Sequence, residues 1–148
     1  MDSRIERQRA VVAEHIRCEN EHDWPAVYQT FVQEARAFYE VIPLRAIFKG
    51  IDGVRQFYET IATAMPDLQI KVTAQYDTPG CTICETVITG THLGPYLQVP
   101  ASGNQITIEL AGFYLFNEDG SKLIAERIYY DQASVVAQMQ PKPMAKPA

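Results

Sequence analysis

The sequence predicts an α+β domain in which N-terminal helices lie on one side of a curved antiparallel sheet. Three observations lead there. Apolar residues recur at steps of three and four before residue 66, most clearly at Val54, Phe57, Tyr58, Ile61, Ala62 and Met65. After Pro66 the period changes to two, and Leu68, Ile70, Val72, Ala74 and Tyr76 alternate with Gln69, Lys71, Thr73, Gln75 and Asp77. Long β-segments with a glycine inside them follow, and bulges at such places bend a sheet round a hollow.

The elements follow in order. Ser3 to about His22 reads as a helix with Ser3 as cap, Glu6 as its capping-box partner and Ile5, Val12 and Ile16 as an apolar stripe. Asp23-Trp24-Pro25 restarts a second helix, with Asp23 as cap and proline in the first turn, and so short a link predicts a helical hairpin. Arg36 to Ile42 reads as a strand ended by Pro43, and Leu44 to Phe48 as a second short one. Gly50 to Gly53 opens the clearest helix, with Asp52 as the expected cap and Pro66-Asp67 as the stop. Asp77 to Gly80 is a turn, Cys81 to Thr91 a strand, and Gly94 to Gly103 a loop. Gln105 to Phe116 is a long strand with a bulge expected at Gly112, where the apolar parity shifts from Ile106, Ile108 and Leu110 to Phe113 and Leu115. A final strand follows Glu118-Asp119-Gly120. Residues 1–140 are expected to form one domain, and 141–148 a flexible tail rich in proline and lysine.

Composition narrows the function. A chain of 148 residues with net charge −5 lacks the basic face that nucleic acid or an anionic membrane surface requires. No apolar run approaches the length of a membrane span, and the charged N-terminus lacks a signal peptide's apolar centre, so a cytoplasmic location is expected. The three cysteines, Cys18, Cys81 and Cys84, are expected to be free thiols, because Cys81 and Cys84 would face opposite sides of a strand. Three scattered histidines do not read as a metal site, and there is no glycine-rich phosphate loop, G-x-S-x-G elbow or HExxH, so no metal and no cofactor are expected.

The last strand carries the chemistry. Arg127, Tyr129 and Asp131 share one of its faces. If that face is the inner one, a cation, a phenol and a carboxylate are buried together, which is costly unless they are paired or used. Asp131 is then the expected acid/base, its pKa raised by an apolar wall, with Arg127 or His92 assisting. An arginine and two carboxylates around a water would suit epoxide opening, with Glu85 or Glu109 as the second acid. Glu85 is suspect because it sits between Ile83 and Val87, although which face of that strand is inside stays open. Tyr129, Tyr39, Trp24, Tyr28 and Phe113 are the aromatic candidates for a substrate wall. His15 and His22, in and at the end of the first helix, read as surface or cap residues.

Seven segments together resemble the SnoaL-like polyketide cyclase family within the nuclear transport factor 2-like fold group: NEHDW at 20–24, FKGIDGVRQFY at 48–58, MPDL at 65–68, GTHLGP at 90–95, PASG at 100–103, FNEDG at 116–120 and ERIYYDQ at 126–132. The resemblance runs from about Ala10 to Met139. It implies a cone, a curved antiparallel sheet wrapped round a pocket by the N-terminal helices, and a homodimer made through the outer sheet face. It also implies an acid/base carboxylate on the last strand, at the position of Asp131. The glutamine and histidine that the cyclases carry on the neighbouring strand are not matched by the run from Phe113 to Phe116. The expected activity is a cofactor-independent cyclase, isomerase or hydrolase step on an apolar or aromatic small molecule, and the alternative is a binding or dimerisation module of the same fold.

Overall fold

Six strands form one unclosed sheet in the order β2-β1-β6-β5-β4-β3 in the computed structural model, which describes residues 2–142. The strands are β1 (Phe38–Val41), β2 (Ala46–Lys49), β3 (Gln69–Thr78), β4 (Cys81–Thr91), β5 (Gln105–Phe116) and β6 (Leu123–Tyr130). The helices are α1 (Ser3–Asn20), α2 (Trp24–Gln29), α3 (Gly50–Ala64) and α4 (Gln132–Gln138). Every pairing is antiparallel except β1 on β6, where Phe38 lies opposite Ala125 and Val41 opposite Ile128. The expected mixed α+β layout with a bent sheet is therefore the observed one.

The caps shift slightly from expectation. Asp2, not Ser3, caps α1, accepting from the Arg4 N–H at 2.8 Å. Asp23 caps α2 through the Ala26 N–H at 3.2 Å, and His22 makes the link in the left-handed region at φ 58°. Helix α3 starts before Asp52, which sits in its first turn and complements the helix dipole without capping. Gly53 lets α3 press on β2, since a Cβ there would lie 2.6 Å from the Phe48 carbonyl carbon.

Two parity expectations are corrected. The pairing of β3 with β4 slips between Val72 and Ala74, so Thr73 bulges. Ile70 and Val72 keep facing the helices, while Ala74 and Tyr76 pair with Glu85 and Ile83 on the outer face. Along β5 the register with β4 runs unbroken through Gly112, so no bulge lies there. Phe113 and Leu115 are outward-facing, and the apparent shift in the sequence arises because that end of the outer face is apolar too. The bend in β5 comes at Leu115/Phe116, where its pairing with β6 slips.

Helices α1, α2 and α3 cover the concave face. Their Val12, Ile16, Val27, Val54, Phe57 and Tyr58 pack with Tyr39, Val41, Cys84, Tyr114, Phe116, Leu123 and Ile128 of the sheet. Tyr39 and Phe57 stack with ring centroids 3.6 Å apart. Each such side chain contributes about 1.5–3 kcal/mol by leaving water. The three cysteines are free, as expected.

Helix α4 was not expected. Asp131 caps it, accepting from the Ser134 N–H at 3.2 Å, and Val135 and Met139 bury against the open end of the sheet. The chain after Gln138 therefore begins with a buried anchor. Of the tail expected at 141–148, residues 143–148 lie outside the described residues.

Candidate functional site

Between the concave face and the helices lies a cavity of about 70 Å³. Its walls are apolar and aromatic, including Trp24, Tyr39, Phe57, Ile61, Ile108, Leu110, Tyr114 and Ile128. Tyr96, Tyr130, Val135 and Met139 also line it, and the Tyr96 and Tyr130 hydroxyls are 2.8 Å apart. The volume suits a few waters or one small molecule. A larger guest requires movement of the wall.

Its polar part comes from three elements. Alternation on β6 sends Glu126, Ile128 and Tyr130 inward. Spacing of four on α1 puts His15 and Glu19 on the buried stripe beside Val12 and Ile16. Helix α3 contributes Tyr58. The Tyr58 hydroxyl lies 2.9 Å from Glu126 Oε2, 3.1 Å from Glu19 Oε1 and 3.0 Å from His15 Nε2. His15 Nε2 also contacts Glu19 Oε1 directly and lies 3.5 Å from Glu126 Oε2. His15 is fully buried, and Glu19 and Glu126 are 5% and 4% exposed. Two carboxylates so far from water need a cation or a proton between them.

The hydrogen bonds locate one proton. The Thr30 hydroxyl donates to the Val27 carbonyl at 2.6 Å, so it accepts from His15 Nδ1 at 2.8 Å. Nε2 is thus the atom offered to the carboxylates. Burial works against a charged imidazole, but the facing Glu19 and Glu126 outweigh it and raise the His15 pKa to about 10. Burial raises the pKa of Glu19, with His15 opposing. Burial, then the charges of Glu126 and Glu19, hold the phenols of Tyr39, Tyr58 and Tyr114 well above the ordinary range, so all three stay protonated donors. Gly112, opposite Ile128, lies beside Glu126, whose Oε1 would be in ordinary contact at 3.5 Å with a Cβ there.

The residues singled out from sequence are divided by the sheet. Trp24 and Tyr39 line the cavity. Tyr28 lies behind it, with its ring centroid 6.1 Å from that of Tyr58 and Arg55 over its face. Asp131 does not reach the hollow; it is an exposed helix cap one residue past the strand. Arg127 and Tyr129 face outward, because Glu126, not Arg127, shares the side of Ile128. Arg127 pairs with Glu40 there, and Tyr129 is 43% exposed beside Phe113 at a centroid distance of 5.5 Å. Phe113 therefore lies on the outer face rather than the substrate wall. Glu85 is exposed on that same face, near the Tyr76 hydroxyl at 3.3 Å. His92 is fully buried but outside the cavity lining; its Nδ1 meets Ser102 Oγ at 2.8 Å and braces the 92–104 loop. Sequence reasoning passed over His15, Glu19, Tyr58 and Glu126. A signal existed for the first two, since they continue the apolar stripe of α1.

A curved, unclosed sheet with helices over its concave face and a polar-ended cavity defines a small-molecule-binding class of α+β fold. The SnoaL-like polyketide cyclase family model matches residues 9–139, and the chain belongs to that family. Solved structures agree on the fold. A proposed SnoaL-like polyketide cyclase from Jannaschia sp. CCS1 shares 17% identity over 93% of this chain and 94% of that one, with a TM-score of 0.83. A protein of ketosteroid isomerase-like fold from Catenulispora acidiphila DSM 44928, in complex with trimethylamine, shares 16% over 89% and 93%, with a TM-score of 0.73. SalBIII, an epoxide hydrolase/cyclase-like enzyme in pyran ring formation in the polyether salinomycin, shares 16% over 87% and 94%, with a TM-score of 0.72. A search of curated proteins finds no match. Among the described residues no helix is long and apolar enough to cross a membrane.

Proposed function

We propose that the chain is an enzyme that moves a proton on an apolar or aromatic small molecule held in the cavity, in a cyclase, isomerase or hydrolase type of step, with Glu126 as the acid/base. The observation that carries this reading is a single buried arrangement: the Glu126 carboxylate, 2.9 Å from the Tyr58 hydroxyl, bordering a mainly apolar and aromatic hollow that Glu19 also borders. A carboxylate that borders the ligand space can take a proton directly from a molecule held there. The protonated phenols of Tyr39 and Tyr114, which also line the hollow, supply donors for an oxygen that gains charge as the proton leaves. This replaces Asp131 with Glu126 in the role that the family resemblance assigns to the last strand. The family membership and the similarity to SalBIII support the reaction class.

The test needs no natural substrate. The protein is incubated in D₂O with a panel of small aryl ketones, and hydrogen exchange next to the carbonyl is followed by NMR. Exchange above buffer that falls at least about a hundredfold in Glu126→Gln supports the reading. No exchange with any ketone, or equal rates in the variant, overturns it.

The outer face of the sheet supports the homodimer that the family resemblance implies. Tyr76 and Tyr129 are 58% and 43% exposed there, and Phe113 contacts Tyr129. Exposed apolar groups on one sheet face suit a second copy of the chain.

A further inference from the structure

The buried cluster holds more lone pairs than hydrogens to satisfy them. His15 Nδ1 spends its hydrogen on Thr30, as the Thr30–Val27 bond requires. Without a further proton, His15 Nε2, Glu19 Oε1 and Glu126 Oε2 all present lone pairs to one another, and the Tyr58 hydroxyl has one hydrogen for three neighbours. Some cation belongs among them. A proton on Nε2 is one; a metal ion is the other.

We propose that His15, Glu19 and Glu126 form a binding site for one divalent first-row transition ion, ligated through His15 Nε2 and one oxygen of each carboxylate, with Tyr58 Oη at the fourth corner. The three ligand atoms lie within 4.8 Å of one another. Tyr58 Oη stands 3.0, 3.1 and 2.9 Å from them. Four donors around an ion with bonds of about 2.0 Å stand about 3.3 Å apart in a tetrahedron, close to the Tyr58 spacings and to the 3.5 Å between His15 Nε2 and Glu126 Oε2, while His15 Nε2 and Glu19 Oε1, in direct contact, separate to admit the ion. The donor set, one imidazole with oxygens, selects zinc-like ions over magnesium or calcium. The Nδ1–H···Oγ1 bond to Thr30 is the outer contact that orients a metal-bound imidazole and directs its other nitrogen inward. A divalent ion would also neutralise two carboxylates that the fold has buried side by side. Glu19, Tyr58 and Glu126 all line the cavity, so an ion held here borders the ligand space. The sequence expectation of no metal rested on three scattered histidines; the fold supplies the remaining ligands from carboxylates instead.

The site does not depend on the acid/base reading, because binding is measured without a substrate. Full-length protein is stripped with EDTA, desalted and titrated calorimetrically with zinc chloride and cobalt(II) chloride, with magnesium chloride as control. The expected result is one equivalent of zinc or cobalt, visible cobalt absorption of a low-coordinate site, a raised unfolding temperature, and no magnesium binding. Glu19→Gln and His15→Gln should weaken binding about a hundredfold or more, and Thr30→Val, which removes the outer contact and the bond to the Val27 carbonyl but no ligand, about tenfold. Circular dichroism reports whether each variant folds, and Thr30→Val keeps the test decisive if the ligand variants do not. Absence of zinc and cobalt binding to folded wild type overturns the proposal, as does binding that is unchanged in both Glu19→Gln and Thr30→Val.

Discussion

The two faces of β6 make opposite use of similar residues. On the outer face Arg127 and Tyr129 stand partly in water, and the charge of Arg127 is answered by Glu40. On the inner face Glu126 is 4% exposed and shares its surroundings with Glu19, His15 and Tyr58. A polar side chain at the surface can be changed at little cost because water replaces its partner. The same chemistry inside a low-dielectric hollow is coupled to every neighbour, so a change at one group is felt by the others. One step along a strand separates the two regimes.

That contrast can be broken or sharpened experimentally. The largest effect should come from Glu126→Gln, which is expected to lower proton exchange by about two orders of magnitude or more, while Arg127→Gln changes it less than about twofold. Equal losses would erase the distinction between the faces.

Next comes pH. The His15 pKa is raised from 6.5 to about 10, so its contribution is complete below pH 6.5 and is lost as pH climbs towards 10. Glu19, also raised, acts with the same sign from a lower pH, since a folded state that keeps a proton loses stability as that proton leaves. Denaturant titrations of metal-free protein should therefore show stability falling from mildly acidic to alkaline pH by on the order of a few kcal/mol, with the alkaline part of the decline flattened in His15→Gln.

Tyr58→Phe removes the shared donor and leaves a buried carboxyl group short of a hydrogen bond. It should cost about 1–3 kcal/mol in urea unfolding, against less than about 0.5 kcal/mol for Tyr129→Phe on the outer face. Smallest in stability is Tyr129→Glu. Its expected effect is on the proposed pairing of outer faces: in sedimentation velocity the wild type should run as a dimer and the variant as a monomer, with exchange per chain left in place.

Much of the architecture was legible because it rests on local rules. Asp23 caps α2 as its side-chain oxygen demands, and Val54, Phe57, Tyr58 and Ile61 mark α3 by spacing alone. The α1 cap moved by one residue, from Ser3 to the acid Asp2, and the α3 cap position by three, from Asp52 to Lys49. Helix α4 was missed because its seven residues carry little periodicity, and its burial depends on the cavity end that it covers.

The site was less legible, and β6 shows why. Alternation separates Glu126, Ile128 and Tyr130 from Arg127 and Tyr129, yet both sets mix polar and aromatic groups, so period two does not say which is inside. The same ambiguity hid the Thr73 bulge that turns Tyr76 outward. His15 looked like a surface residue because nothing within its own helix answers its charge except Glu19; Tyr58 and Glu126 arrive from 43 and 111 residues away.

The sequence by itself determined the order of helices and strands and most of their ends, since these follow from side-chain spacing and backbone preferences acting over a few residues, and its segments carried the resemblance to the family. Only the tertiary structure selected the concave side of β6 and gathered one imidazole, two carboxyl groups and a phenol at a single point. That selection depends on what α1 and α3 bring to the sheet, and desolvation, which sets the chemistry of these groups, exists only once distant segments have closed over them.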